Sequence, residues 1–166
     1  MTLQKIQQEQ FEWAKRNFSD HLDAQDPLTG MGEELGELCH AVLKMKQGIR
    51  TTEDHEAAFM DGIGDFGIYM AHFCSIQKID FERVMAGITP IPNHNRQHQL
   101  LKLHLALASV YHAFMYDGDM EHALGAVAYR LKELCGMEYD FNGIMEETWA
   151  QVRERNWKKN PRDGRP

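Results

Sequence analysis

The chain has 166 residues, of which 26% are charged and 43% hydrophobic, and this composition is typical of one soluble globular domain. Its formal net charge of −7 argues against sequence-independent binding to duplex nucleic acid, which requires a basic surface, but not against a small anionic ligand held through a metal ion. The polar N-terminus does not resemble a signal peptide, and no window reads as a membrane span. Three cysteines without CxxC spacing predict reduced thiols in the cytoplasm.

Helical periodicity dominates the sequence and predicts an all-α bundle of about six helices. Pro27 and Gly30 mark a loop after the first helix, Thr51 or Thr52 is the expected N-cap of the third, and an aspartate of the DGD turn caps the fifth. The ending KKNPRDGRP is expected to be frayed or linker-like. The expected helices cover about residues 3–18, 31–47, 52–77, 96–116, 120–135 and 141–158.

Two stretches of the chain resemble each other and suggest an internal duplication. EELGELCHAVLKM at 33–45 aligns with LALASVYHAFMYD at 105–117, and CSIQKIDFERVM at 74–85 aligns with CGMEYDFNGIM at 135–145. Either two amphipathic hairpins look alike by chance, or a helical hairpin was duplicated and its second copy lost its acids. The duplication predicts a single domain with a first half that keeps the acids, a degenerate repeat half and a tail, at residues 1–92, 93–158 and 159–166.

Three glutamates lie close together on the second predicted helix. At about 100° per residue, Glu33, Glu34 and Glu37 share one side, while Leu35 and Leu38 face the core. Such a cluster is also common on the solvent face of a surface helix. The second helix alone therefore does not indicate a site.

The third predicted helix changes this interpretation because its aspartates have apolar surroundings. Residues 57–76 are apolar nearly all round, and Asp61 and Asp65 lie one turn apart among them. No lysine or arginine occurs between Arg50 and Lys78. Two buried carboxylates without a cation either take up protons or hold a metal ion, and hard oxygen ligands suit Mg²⁺ or Mn²⁺. The alternative is that lysines elsewhere in the chain pair with both aspartates.

The stretches MGEELGELCHAVLKMKQGIR and DGIGDFGIYM resemble the MazG-like branch of the all-α nucleoside triphosphate pyrophosphohydrolases. The signature of that superfamily is EExxE on one helix and ExxD on the next. Glu33, Glu34 and Glu37 match the first part, and Asp65 matches the final aspartate. The sequence departs from the pattern at the ExxD glutamate, where Gly62 stands.

The resemblance implies Mg²⁺-dependent hydrolysis of a nucleoside triphosphate to the nucleoside monophosphate and pyrophosphate, with Mn²⁺ as an alternative ion. It implies Glu33 and Glu34 as catalytic residues, with Glu33 as general base toward the attacking water or as a further ligand. In place of the ExxD glutamate the chain offers Asp61, one residue earlier. The implied metal ligands are Glu34, Glu37, Asp61 and Asp65.

A nucleotide also requires positive charge for its phosphates and an aromatic surface for its base. The substrate-binding residues that we expect are Trp13, Lys44, Lys46, Arg155 and Lys158. Further aromatic candidates for the base are Phe11, Phe18, Tyr69 and Trp157. His40 and His72 are expected to be satisfied by their neighbours and not to bind a ligand. The resemblance also implies a homodimer.

Two other functions fit parts of the sequence. Glu37 and His40 form an ExxH motif like those of ferritin-like di-iron or di-manganese bundles, but a second ExxH is missing. Gly62 and the acid-free second half also fit a helical interaction module that has lost its chemistry. An assay of Mg²⁺-dependent pyrophosphate release separates these functions.

Overall fold

The computed structural model describes residues 1–18, 23–91 and 95–165, and all regular structure in these ranges is helical. The prediction of an all-α bundle is confirmed. No helix among these residues combines the length and apolarity that crossing a membrane requires. The described helices are α1 Leu3–Phe18, α2 Gln25–Gln47, α3 His55–Ile76, α4 Phe81–Met85, α5 Arg96–Met115, α6 Met120–Cys135 and α7 Phe141–Val152.

Short polar side chains fix where most of the helices begin. Asp119 accepts a hydrogen bond from the backbone N–H of His122 and starts α6, as the DGD turn predicts. Asp54 caps α3 in the same way, so α3 begins two or three residues later than a cap at Thr52 or Thr51 would place it. The remaining helix starts with such a side-chain cap are those of α4, α5 and α7 at Asp80, Asn95 and Asp140.

The start of α2 and the end of α7 differ from the sequence prediction. α2 begins at Gln25 and includes Pro27 and Gly30, which were expected in a loop. Proline is tolerated in the first turn of a helix because the N–H that it lacks has no partner there. α7 ends at Val152 and not near residue 158, because the following residues turn back toward α1.

The segment 153–165, which we call the C-terminal strap, is folded against α1. The indole N–H of Trp13 donates to the carbonyl oxygen of Arg155 at 3.0 Å, and the backbone N–H of Trp157 donates to Asn17 Oδ1 at 2.7 Å. Within the strap, the backbone N–H of Asn156 donates to the carbonyl of Gly164 at 2.7 Å. The expectation of a frayed or linker-like ending is therefore wrong for the described residues.

The helices form two hairpins. α2 packs mainly against α3, α5 packs mainly against α6, and α2 contacts α5 between the hairpins. Whether the two hairpins arose by duplication stays a prediction. α1 and α7 complete the bundle by packing on α3, which has more neighbouring helices than the others described.

Two glycines on α3 allow α7 to pack closely against it. A Cβ atom at Gly64 would collide with Thr148 Oγ1, and one at Gly67 would collide with Met145 Sδ. The glycine face of α3 therefore lies directly under α7, which leads the chain from α6 into the C-terminal strap.

Candidate active site

The predicted acidic residues come from the two helices of the first hairpin. Glu33, Glu34 and Glu37 are on α2, and Asp61 and Asp65 are on α3, which packs against it. Glu34 is buried, with 8% of its surface exposed, and Asp65 is half-buried. The three other carboxylates are exposed. The structure thus brings the five acids to one place, with Glu34 and Asp65 on its inner side.

The carboxylates act on one another through their charges. Burial raises the pKa of Glu34 to about 8, with further contributions from Asp65, Glu37, Glu33 and Asp61. Burial likewise raises the pKa of Asp65 to about 6, Asp61 and Glu37 add to the shift, and Arg155 opposes it. Simultaneous ionisation of Glu34 and Asp65, on neighbouring helices, is therefore unfavourable.

No lysine or arginine of the described residues forms an ion pair with any of the five acids. Glu34 Oε2 is also buried without a hydrogen-bond partner. As the described side chains stand, no group of three or more His, Cys, Asp or Glu is placed to hold a metal ion. Coordination of one ion by three of the acids therefore requires side-chain rotations that bring the carboxylates closer together.

The burial expected for Asp61 is wrong. Asp61 is exposed and borders an open groove of about 430 Å³ between α3 and α7. The apolar composition of residues 57–76 suggested burial all round, but the contacts of α7 fall further along α3, at Gly64 and Gly67. The turn of α3 that contains Ala57, Ala58 and Asp61 therefore keeps one face open to solvent.

The departure at Gly62 has a packing reason. A Cβ atom there would lie 3.1 Å from Cγ and Cδ2 of Leu38, so position 62 faces the core side of α2. A glutamate at this position would require Leu38 to move. In this chain the acid is Asp61, one residue earlier, which lies on the solvent-exposed side of α3. The close contact between Gly62 and Leu38 is kept.

A cavity of about 300 Å³ lies beside the two inner carboxylates. Glu34 and Asp65 are part of its wall. Much of the rest is aromatic, and the aromatic residues that line it are Trp13, Phe18, Tyr69 and Trp157. All four were candidates for a base site, whereas Phe11 is not part of this lining.

Two local features shape the aromatic wall. The rings of Trp13 and Phe18 meet edge to face at 5.4 Å between centroids. A Cβ atom at Gly30 would lie 2.5 Å from the ring of Tyr69, so this glycine of α2 makes room for the tyrosine. The sequence marked Gly30 only as a loop residue, and its role in the cavity depends on the packing of α2 against α3.

The C-terminal strap brings Arg155 to the cavity. Arg155 is half-buried, lines the same space as Glu34 and Asp65, and its Nε atom is buried without a hydrogen-bond partner. Its charge opposes the rise in the pKa of Asp65, although the two groups form no ion pair. A cation thus lies next to the acids with donor capacity left for a ligand.

The other predicted substrate-binding cations lie elsewhere. Lys44 and Lys46 do not line the cavity, and Lys46 donates to Gln97 Oε1 on α5. Lys158 is exposed on the strap and does not line the cavity either. Of the five residues expected to bind substrate, the structure brings Trp13 and Arg155 together with the acids.

Sequence reasoning missed two polar residues of the cavity. Gln10 and His72 line it and are 2% and 7% exposed, and Gln10 Oε1 and His72 Nε2 have no hydrogen-bond partner. The expectation that His72 is satisfied by its neighbours is therefore wrong for Nε2. His40, in contrast, is exposed on α2. Gln10 stands in a polar stretch, QQEQ, but it follows Ile6 by four residues and precedes Trp13 by three, so helical periodicity places it on the buried face of α1 and the exposed Gln8 away from it.

Comparison of the chain with protein-family models, with curated proteins and with solved structures finds no match. The resemblance to the MazG-like pyrophosphohydrolases therefore rests on the acidic motif itself.

Proposed function

We propose that the protein is a Mg²⁺-dependent pyrophosphohydrolase that cleaves a nucleoside triphosphate to the nucleoside monophosphate and pyrophosphate. One observation carries the proposal: Glu34 is buried, lacks a hydrogen-bond partner and stands beside Asp65 without an ion-pairing lysine or arginine among the described residues. Ionising a carboxyl group in such a position is costly unless a cation compensates the charge. The aromatic cavity and Arg155 next to it suit a nucleotide.

The donor set fits a hard divalent cation because it consists of carboxylate oxygens from two packed helices. Under this proposal Glu34, Glu37 and Asp65 would hold the ion, and the exposed Asp61 would be a further ligand. When bound, Mg²⁺ supplies positive charge to the phosphate chain and acidifies a water molecule beside it.

The other residues position the substrate and move a proton. Glu33 is exposed next to the buried Glu34 and accepts the proton of the attacking water, whose oxygen becomes part of a phosphate as the bond between the α- and β-phosphates breaks. Arg155 donates to phosphate oxygens and offsets the charge that develops on them. Trp13, Tyr69 and Trp157 provide flat surfaces for the base.

No observation favours the di-iron or di-manganese alternative over this one. Glu37 and His40, which form the ExxH motif, are both exposed on α2. The non-catalytic alternative leaves Glu34 without a compensating partner, which is a cost to stability that serves no purpose in an inert module. A homodimer remains part of the proposal, as the resemblance implies.

A pyrophosphate-release assay with the ribo- and deoxyribonucleoside triphosphates tests the proposed function. The wild type should release pyrophosphate with Mg²⁺ and none after chelation, and Asp65→Asn should lose this activity. Asp117→Asn is the matched control because Asp117 lies in the α5–α6 turn at a positive φ that asparagine tolerates. Release that is absent with every nucleotide, or equal in Asp65→Asn and the wild type, contradicts the proposal.

A further inference from the structure

Two polar side chains from different helices line the cavity. Gln10 is on α1 and His72 is on α3, and each is more than nine-tenths buried. Gln10 Oε1 and His72 Nε2 are buried without a hydrogen-bond partner, although both residues line a cavity of about 300 Å³. Buried polar atoms are nearly always hydrogen-bonded, so two exceptions among the residues that line one cavity indicate a ligand that completes them once each side chain rotates toward the cavity.

The chemistry of the pair suits a neutral group with both donors and acceptors better than it suits phosphate, which offers acceptors and carries charge. Burial lowers the pKa of His72 to about 4, with Asp26 opposing the shift, so the imidazole is neutral near pH 7. A neutral imidazole offers one donor and one acceptor, and the Gln10 amide offers both kinds of group. Neutral donors and acceptors between aromatic rings suit the edge of a flat, uncharged heterocycle.

The lining of the cavity also combines two kinds of polar group. Arg155, Glu34 and Asp65 line it together with Gln10 and His72, so the charged groups and the neutral polar groups share one space. A nucleotide has the same division, because its phosphate chain is charged and its base is neutral with donors and acceptors at one edge. A volume of about 300 Å³ is at the small end for ligand pockets and suits the base and not the whole triphosphate.

We propose that Gln10 and His72 are the specificity-determining residues of this site and that they read the hydrogen-bonding edge of a nucleobase seated between the aromatic rings. This inference rests on the proposed function for the identity of the substrate. Gln10 and His72 are not part of the acidic motif, and the family resemblance does not imply a role for either residue.

The test compares Gln10→Met and His72→Phe with the wild type across the nucleoside triphosphates. Each variant keeps the size and removes hydrogen-bonding atoms. The ratio of kcat/KM for the best base to that for the worst should fall about tenfold or more, as expected for a lost hydrogen bond in a desolvated site. Gln8→Met and His122→Phe, both at exposed positions, are the matched controls and should keep the wild-type ratio.

Thermal unfolding separates this role from a structural one. Replacing a buried polar group that has no partner by an apolar group of similar size should leave the melting temperature unchanged or raise it. A variant that stays folded but loses base discrimination supports the inference. Two folded variants that both keep the wild-type ratio overturn it.

Direct binding of nucleosides distinguishes a failure of this inference from a failure of the proposed function. Nucleosides carry no phosphate, and their binding can be followed without Mg²⁺ through the fluorescence of Trp13 and Trp157, which line the cavity. If no triphosphate is hydrolysed, nucleoside binding that is weakened about tenfold in Gln10→Met and His72→Phe still supports the inference. Nucleoside binding that is undetectable in the wild type, or equal in all variants, overturns it.

Discussion

The two hairpins each contain a buried glutamate, and the surroundings of these glutamates are opposite. Glu133 on α6 is 4% exposed, and the guanidinium of Arg130 lies 2.8 Å from its carboxylate and Lys102 lies 3.9 Å away. Glu34 on α2 is 8% exposed and has no ion-pair partner among the described residues. The second hairpin thus neutralises its buried charge with its own side chains, and the first does not.

This difference separates a structural acid from a candidate functional one. A paired buried carboxylate contributes to packing and needs nothing from outside the chain. An unpaired carboxylate beside further acids is kept at a cost in stability, and that cost indicates a ligand that arrives later. Burial alone therefore does not identify the site; burial without a counter-charge does.

Substitution of the first-hairpin acids should have the largest effect. Glu34→Gln should reduce Mg²⁺-dependent pyrophosphate release by at least about 100-fold, because it removes an inner carboxylate ligand. Glu133→Gln should keep wild-type activity per folded molecule. Equal losses of activity in the two variants, measured at a temperature where both are folded, would contradict the functional difference between Glu34 and Glu133.

The same pair of variants should move stability in opposite directions when no divalent ion is present. The folded-state pKa of Glu34 is raised to about 8, so its contribution to stability is complete below its ordinary pKa and is lost as the pH rises through about 8. At pH 8 to 9 Glu34→Gln should therefore raise the free energy of unfolding by on the order of 3 kcal/mol, with little effect at pH 4. Glu133→Gln should lower it by about 1–3 kcal/mol because Arg130 loses its partner.

Urea denaturation of both variants at pH 4, 6 and 8.5 in the presence of a chelator measures these changes. A Glu34→Gln variant that is less stable than the wild type at pH 8.5 would mean that Glu34 is a structural acid like Glu133.

Glycine substitutions should also distinguish the hairpins, with a smaller effect. Gly64→Ala should lower the free energy of unfolding by about 2 kcal/mol, because the added Cβ collides with Thr148 Oγ1 and pushes α7 away. Gly125→Ala on α6 has no heavy atom within 4 Å of the new Cβ and should raise it by up to about 1 kcal/mol through helix propensity. Thermal denaturation of the two variants gives both values. Similar changes in both would show that α7 does not press on α3 at Gly64.

The sequence predicted the helices well because local signals determine them. The range 3–18 for α1 and the start of α6 after Asp119 follow from periodicity and a capping residue, and both agree with the structure. The meeting of the acids on α2 and α3 also follows from the sequence, since a short connection joins the helices into a hairpin.

The rest depends on contacts between distant parts of the chain. The carbonyl of Arg155 bonds to Trp13, 142 positions away, and this contact places the strap over the cavity. Whether Asp61 is covered depends on where α7 crosses α3, and whether Gln10 is buried depends on what packs against α1. The sequence around Asp61 contains no information about where α7 crosses α3, whereas the spacing of Gln10 from Ile6 and Trp13 does indicate the buried face of α1.

The affinity for Mg²⁺ should depend on pH. A carboxyl group must be ionised to bind the ion, and burial together with its acidic neighbours raises the pKa of Glu34 to about 8. The dissociation constant for Mg²⁺ should therefore fall by up to about tenfold per pH unit between pH 6 and pH 8 and level off above that. Isothermal titration calorimetry in buffers of different ionisation enthalpy should record proton release over the same range. An affinity that does not change between pH 6 and pH 8 would place the ion away from Glu34.

Binding of Mn²⁺ measured by electron paramagnetic resonance tests the central claim most directly, because only the free ion gives a strong signal. At pH 8 the wild type and Glu133→Gln should remove the signal of added Mn²⁺, and Glu34→Gln and Asp65→Asn should leave it. A wild type that takes up no Mn²⁺, or a Glu34→Gln variant that binds the ion as tightly as the wild type, would contradict the account.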